Sequence, residues 1–176
     1  LARIKKTPSY SGRYLDSISD IILNLLVMIA IWYITNGSIV HTLIAFVGIQ
    51  LQGTLYNYYY VILRNKWNGD TTSRIFETTT PVAMKGEKNV TILFLIYKIC
   101  YGIFDLIIYK MDKNAVKSER IPNWLMTAIS TFGLGFQLLI IAVMLLLDLK
   151  NFIIPFFICY SVFILIFISI RKLINT

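Results

Sequence analysis

Two aspartates, Asp16 and Asp20, stand one helical turn apart at the head of an apolar run, with Asn24 one turn further on. Side chains at i and i+4 share a helix face, so the three form a polar stripe climbing into the run. An ionised Asp is expensive there, about 2.5–3.5 kcal/mol at the centre of a membrane helix, which makes it a candidate for function. Carboxylates so placed can recruit divalent cations, hold a cation in passage or relay protons. The structural alternative is that Asp16 lies at headgroup level and pairs with Arg13. The lead-in is basic: Arg3, Lys5, Lys6 and Arg13 precede Asp16 with no acid among them.

Long helices must position these acids. The chain has 176 residues, 57% of them hydrophobic and only 15% charged, with a net charge of +8 and a mean hydropathy of +0.68. A soluble globular domain is nearer half apolar and a quarter charged, so the composition is that of an integral membrane protein. Five apolar segments can be drawn: Gly12 to Thr35, Ile39 to Leu63, Val90 to Tyr109, Trp124 to Leu147 and Phe152 to Ile170. Each has roughly the 20 residues a helix needs to cross the hydrocarbon core. The runs are continuous rather than alternating, which argues for helices and against a barrel. The expected fold class is therefore all-α, a membrane bundle of about five transmembrane helices, with residues 1–176 forming one domain.

The connections carry the charge. "NGS" (Asn36 to Ser38) is a tight, uncharged hairpin; residues 64–89 are long and polar; residues 110–122 are shorter and carry Lys110, Lys113, Lys117 and Arg120. The positive-inside rule places residues 1–13 in the cytoplasm. Simple alternation then puts 64–89 inside, in agreement, but 110–122 outside, in conflict. The third segment also holds Lys98 and Asp105, so it is expected to be tilted, short or irregular. Trp67, Trp124 and the tyrosines near helix ends fit an interfacial belt.

The wider spacing around the acids is more specific. Ala2-Arg3, eight residues, Gly12, three residues, Asp16, three residues and Asp20 read A-R-x8-G-x3-D-x3-D. This resembles the second half of the CDP-alcohol phosphatidyltransferase signature, D-x2-D-G-x2-A-R-x8-G-x3-D-x3-D, at every fixed position from Ala2 onward. The match covers about 19 residues, and the first two aspartates of the signature are expected upstream of residue 1, so the domain is expected to be N-terminally truncated. The resemblance implies transfer of a phosphoalcohol group, with phosphatidyl the expected one, from a CDP-linked donor to an alcohol hydroxyl with release of CMP. It implies Mg2+ or Mn2+ in a two-metal site that faces the cytoplasm and is completed by the upstream aspartates. Asp16 and Asp20 would be metal ligands, and Asp20 also the base for the acceptor hydroxyl. Arg3 would contact the diphosphate, while Gly12 and the small Ala2 would let the nucleotide approach. The expected partners are the donor, the acceptor, membrane lipids and a second copy as a homodimer; nucleic acid is not among them.

Other polar residues divide between site and scaffold. Gln50, Thr54 and Asn57 share a face of the second segment, where bonding across helices is the first expectation and substrate contact the second. Arg64, Lys66 and Arg74 are candidates for an acceptor phosphate, against the simpler reading of solvated charge. Lys98 and Asp105 share a face and either pair or line a cavity. Tyr56 and Tyr58 to Tyr60 read as belt and packing, His41 as a surface or packing residue rather than a ligand, and Cys100 and Cys159 as buried thiols. "TFGLGFQ" (residues 131–137) reads as mid-helix, its Gly133 and Gly135 serving close packing.

Two rival functions stay open at this level. A small cation or proton-coupled transporter would use Asp16 and Asp20 for passage, but such sites favour the bilayer midplane and internal repeats, and neither is visible here. A non-catalytic bundle would scaffold a partner.

Overall fold

The computed structural model describes residues 9–66, 77, 79–84, 86–118 and 121–174. Its architecture is all-α, with no strand among the described residues. Ser9 opens α1 (Tyr10–Thr35): its backbone is extended and its hydroxyl accepts the Gly12 N–H at 3.0 Å, satisfying one of the unpaired donors of the first turn. Asn36 closes α1 in the left-handed conformation (φ 47°), which asparagine tolerates better than most residues. The chain then reverses into α2 (Ile39–Lys66), and Trp32 Nε1 donates to Gly37 O at 2.9 Å across the turn. The hairpin thus has a turn end at Asn36–Ser38 and an open end at Tyr10 and Lys66.

The remaining helices are α3 (Val90–Met111), α4 (Asn123–Ile129), α5 (Leu134–Leu146), α6 (Ile153–Tyr160) and α7 (Val162–Ile174). α6 and α7, with the short turn before them, form one helix of 25 residues, Lys150–Ile174. Near the turn end, Met28, Ile31, Ala45 and Ile49 of the hairpin pack on Ile141, Ile154 and Phe157. Near the open end, Leu55, Tyr59 and Ile62 pack on Leu125, Ile129 and Ile168. The α4–α5 pair therefore runs from the open end to the turn end, and α6–α7 runs back. Many apolar side chains face outward, among them Leu26, Leu139, Leu146 and Leu165. Such faces are compatible with a multi-pass membrane protein, where lipid covers them.

Five segments are long and apolar enough to span a bilayer when the bent α4–α5 pair counts as one. α3 nevertheless takes a different course from the other four. Its start packs on Tyr10 and Tyr14, through Val90, Phe94 and Tyr97. Its far end reaches Tyr58 and Tyr59, where Ile108 joins their cluster and Tyr58 donates to Asp112 O at 3.0 Å. Both contacts lie at the open end of the hairpin, so this helix of 22 residues, about 33 Å long, lies across that end. Residues 110–118 thereby return to the end that holds Arg13, Arg64 and Lys66. The conflict between loop charge and simple alternation disappears, because α3 does not reverse the direction of the chain.

A second difference concerns residues 131–137. The run is not mid-helix: α4 and its closing turn meet α5 at 56°. Ser130 and Thr131 turn their hydroxyls back onto Thr127 O and Ala128 O, both at 2.7 Å. Gly133 then takes an extended backbone (φ −67°, ψ 147°). A Cβ at Gly133 would lie 3.1 Å from Ser130 O and 3.6 Å from the Tyr56 ring, whereas one at Gly135 would meet nothing within 4 Å. Close packing accounts for Gly133 and not for Gly135.

The tightest helix contact is at Gly48. A Cβ there would sit 2.2 Å from Ser161 Oγ, and that hydroxyl donates to Phe157 O at 2.8 Å while accepting from Gln52 Nε2 at 3.0 Å. Helix propensity alone favours Ala over Gly by about 0.8–1.0 kcal/mol. Displacing Ser161 costs more, because it leaves the buried Gln52 amide unpaired. Gly48→Ala is therefore expected to destabilise by about 1–2 kcal/mol, read as a lower unfolding midpoint in detergent.

Candidate functional site

The open end of the bundle encloses a polar cavity of about 390 Å³ between α1, α2, α3 and the α4–α5 break. α1 presents Arg13, Asp16, Asp20 and Asn24, one face of the helix at intervals of three or four residues. α2 presents Gln50, Thr54, Asn57 and Arg64 opposite them, and α3 closes the side with Tyr97, Tyr101 and Asp105. The inner face of α3 is thus polar, while its outer face shows Ile92, Ile99 and Ile103, each at least 60% exposed. Asp16 is exposed and Asp20 half-buried, so both carboxylates are reachable from the cavity.

Arg13 forms an ion pair with Glu77, which also accepts from the Tyr14 hydroxyl. This replaces the Arg13–Asp16 pairing considered from sequence and leaves Asp16 on the cavity wall. The guanidinium of Arg13 lies 4.7 Å from the Tyr14 ring centroid, and that of Arg64 5.2 Å from the Tyr60 ring. Rings so placed hold flexible arginine side chains in position. Asp105 accepts from Tyr97 at 3.0 Å and lines the cavity, while Lys98 Nζ lies 5.9 Å from the Phe94 ring.

A separate carboxylate anchors the start of α1. Glu87 Oε1 accepts from Ser9 Oγ at 2.8 Å, Ser11 N at 3.1 Å and Ser11 Oγ at 3.2 Å, and Glu87 Oε2 accepts from Met84 N at 2.8 Å. α1 has no acid in its first turn, so Glu87 supplies the negative charge that a helix N-terminus favours. Burial pushes its carboxyl up, but the donors from Met84, Ser9 and Ser11 together outweigh that and hold it below the ordinary glutamate value. A depressed folded pKa gives stability that is complete above the unfolded value, about 4.3, and lost as pH falls through the folded one. The difference in unfolding midpoint between the parent and Glu87→Gln should be full near neutral pH and shrink progressively as pH falls below about 4.3.

Several sequence-predicted residues converge here and others do not. Asp16, Asp20, Gln50, Thr54, Asn57, Arg64 and Asp105 line the one cavity. Gly12 sits in the first turn of α1, where a Cβ would lie 3.2 Å from Ser9 Oγ, and it is not part of the lining. Ala2, Arg3, Trp67 and Arg74 lie outside the described residues. Lys66 donates to Ser118 O. The cross-helix bonding expected of Gln50 and Thr54 falls elsewhere: Thr54 bonds back to Gln50 O at 2.8 Å, while Gln52, Gln137 and Ser161 link α2, α5 and α6–α7. Tyr58 and Tyr59 are buried scaffold, whereas Tyr56 and Tyr60 stack at 5.7 Å and line the cavity. Both thiols are free; Cys159 is exposed and Cys100 half-buried, so burial does not hold for Cys159, on an outward helix face. His41 is exposed near the turn end.

Asp16 and Asp20 are hard oxygen donors one turn apart. Mg2+ is commonly held by one or two carboxylates together with substrate phosphates and water, and Mn2+ accepts the same ligands. The donor set thus fits such an ion in company with a phosphorylated ligand. Among the described residues no group of three or more His, Cys, Asp or Glu side chains gathers at one point. No protein-family model, curated protein or solved structure matches the chain.

Proposed function

We propose that this protein is a membrane phosphotransferase of the CDP-alcohol phosphatidyltransferase kind, acting in phospholipid synthesis at the cytoplasmic face. One observation carries the reading. The two aspartates of the A-R-x8-G-x3-D-x3-D pattern open into one polar cavity with Arg13 and Arg64 near its mouth. A diphosphate brought beside lipid needs its charge met, and arginines with carboxylate-held cations do that. The basic residues at the open end, Arg64, Lys66, Lys110 and Lys113 among them, support a cytoplasmic orientation.

In this reading the acceptor oxygen forms a bond to the donor phosphorus nearer the lipid, and the bond from that phosphorus to the CMP oxygen breaks. The hydroxyl proton passes to Asp20 as general base, and CMP leaves with the electron pair. Mg2+ or Mn2+ held by Asp16 and Asp20 would neutralise the diphosphate oxygens. Arg3 would clamp a phosphate by its planar fork, and Arg64 stands where an acceptor phosphate would enter. A second copy of the chain is the proposed assembly partner.

The transporter alternative receives less support. Beyond Asn24 and Gln50 lies an apolar cluster of Met28, Ile31, Ala45 and Ile154, whereas a path for a cation calls for polar groups through to the turn end. The test is to reconstitute the protein with CDP-diacylglycerol, Mg2+ and a panel of alcohol acceptors and to follow the donor by phosphorus NMR. The diphosphate signals should give way to CMP and a new phosphodiester with at least one acceptor. An unchanged donor with every acceptor would count against the reading.

A further inference from the structure

The cavity grades in polarity with depth. Arg13 and Arg64 stand near its mouth, Asp16 and Asp20 come next, and Asn24 and Gln50 line its deep end before the apolar cluster begins. Gln50 is 2% exposed, and its Nε2 has no hydrogen-bond partner. A buried amide donor left unpaired is costly and uncommon in a native protein. Its neighbours are already committed: Thr54 Oγ1 donates to Gln50 O at 2.8 Å, and Gln137 Nε2 donates to Ile49 O at 3.3 Å and Gln52 Oε1 at 3.0 Å. Gln50 also lines the cavity that holds the two acids, so a turn of its carboxamide toward that space would let a ligand there take up the unpaired donor.

We propose, building on the phosphotransfer reading, that Gln50, with Asn24 of the same cavity lining, hydrogen-bonds an ester carbonyl oxygen of a diacylglycerol donor. Depth supports this. Asn24 lies one turn, about 6 Å, beyond Asp20 along α1. In a diacylglycerol diphosphate the ester carbonyls are set off from the lipid-side phosphate by the glycerol carbons, a span of about one helical turn. A diphosphate at Asp16 and Asp20 therefore brings the esters to the level of the carboxamides. The chemistry supports it as well. Neutral carboxamides suit a neutral acceptor oxygen, and the deep lining of Asn24, Ile49, Gln50 and Gln137 carries no cation for a second phosphate.

The test compares CDP-diacylglycerol with its diether analogue, which keeps the nucleotide, glycerol and chains but lacks both carbonyls. Binding is read from ligand-induced thermal stabilisation of the intact protein with Mg2+, so turnover is not needed. The parent should bind the diester about tenfold more tightly. Gln50→Leu and Gln50→Met should bind the two donors equally, and without ligand they should be at least as stable as the parent, since a buried unpaired amide is removed. A parent that does not distinguish the donors, or variants that keep the preference, would overturn the ester subsite. If CDP alone still stabilises the parent in that case, the nucleotide site stands. If neither CDP nor either donor stabilises it, both readings fall.

Discussion

Arg171→Met is expected to destabilise the protein by about 3–5 kcal/mol, as removal of one partner from a buried ion pair generally does. Arg171 is 2% exposed and Asp112 1%. Arg171 Nε donates to Asp112 Oδ2 at 2.8 Å, its Nη2 reaches Oδ1, and the Tyr59 hydroxyl adds a bond of 2.6 Å to Oδ2. The cluster joins the end of α7 to the end of α3 and to α2, so it fixes α3, which closes one side of the cavity. Without Arg171, Asp112 is left as an uncompensated buried charge. The double variant Arg171→Met, Asp112→Leu should recover much of the loss, because an apolar pair needs no charge desolvated. Unfolding midpoints of parent, single and double variants in one detergent check this. A single variant as stable as the parent would show that the pair does not hold α3 in place.

Asp20→Asn is expected to lower turnover by about 10²- to 10⁴-fold, the range for loss of a general base. The substitution keeps the shape of a half-buried side chain on the cavity wall, so fold and stability should change little. Asp105→Asn is the informative control. Asp105 lines the same cavity but bonds Tyr97 on its own helix, and its loss should move activity far less. Initial rates of CMP release under saturating donor, beside unfolding midpoints, separate the two. Equal losses for Asp20 and Asp105 would remove the special role given to Asp20.

Much of this arrangement is legible in residue order where contacts are local. The stripe Asp16, Asp20, Asn24, the turn at Asn36 and the shared face of Gln50, Thr54 and Asn57 follow from helical periodicity alone. The long-range features do not. Asp112 and Arg171 are 59 residues apart, and neither position is marked as buried by its neighbours in sequence. The course of α3 is half legible: loop charge conflicted with alternation, and Tyr97, Tyr101 and Asp105 recur every four residues on one face, a signal of a polar inner side that the apolar average conceals. Glu77 emerges only from tertiary contact with Arg13 and Tyr14. The break at Gly133 was hidden because an apolar run reads the same whether straight or bent. Only the hydroxyls of Ser130 and Thr131, which bond back to the preceding turn, mark it.

The most direct measurement is CMP release from CDP-diacylglycerol by the intact protein in liposomes, with acceptor present, across a titration of Mg2+ against EDTA. The account predicts release that requires the divalent ion, stops with EDTA and returns on adding Mn2+ or Mg2+ in excess. Release that continues undiminished in EDTA, or no release at any metal concentration with any acceptor, would contradict it.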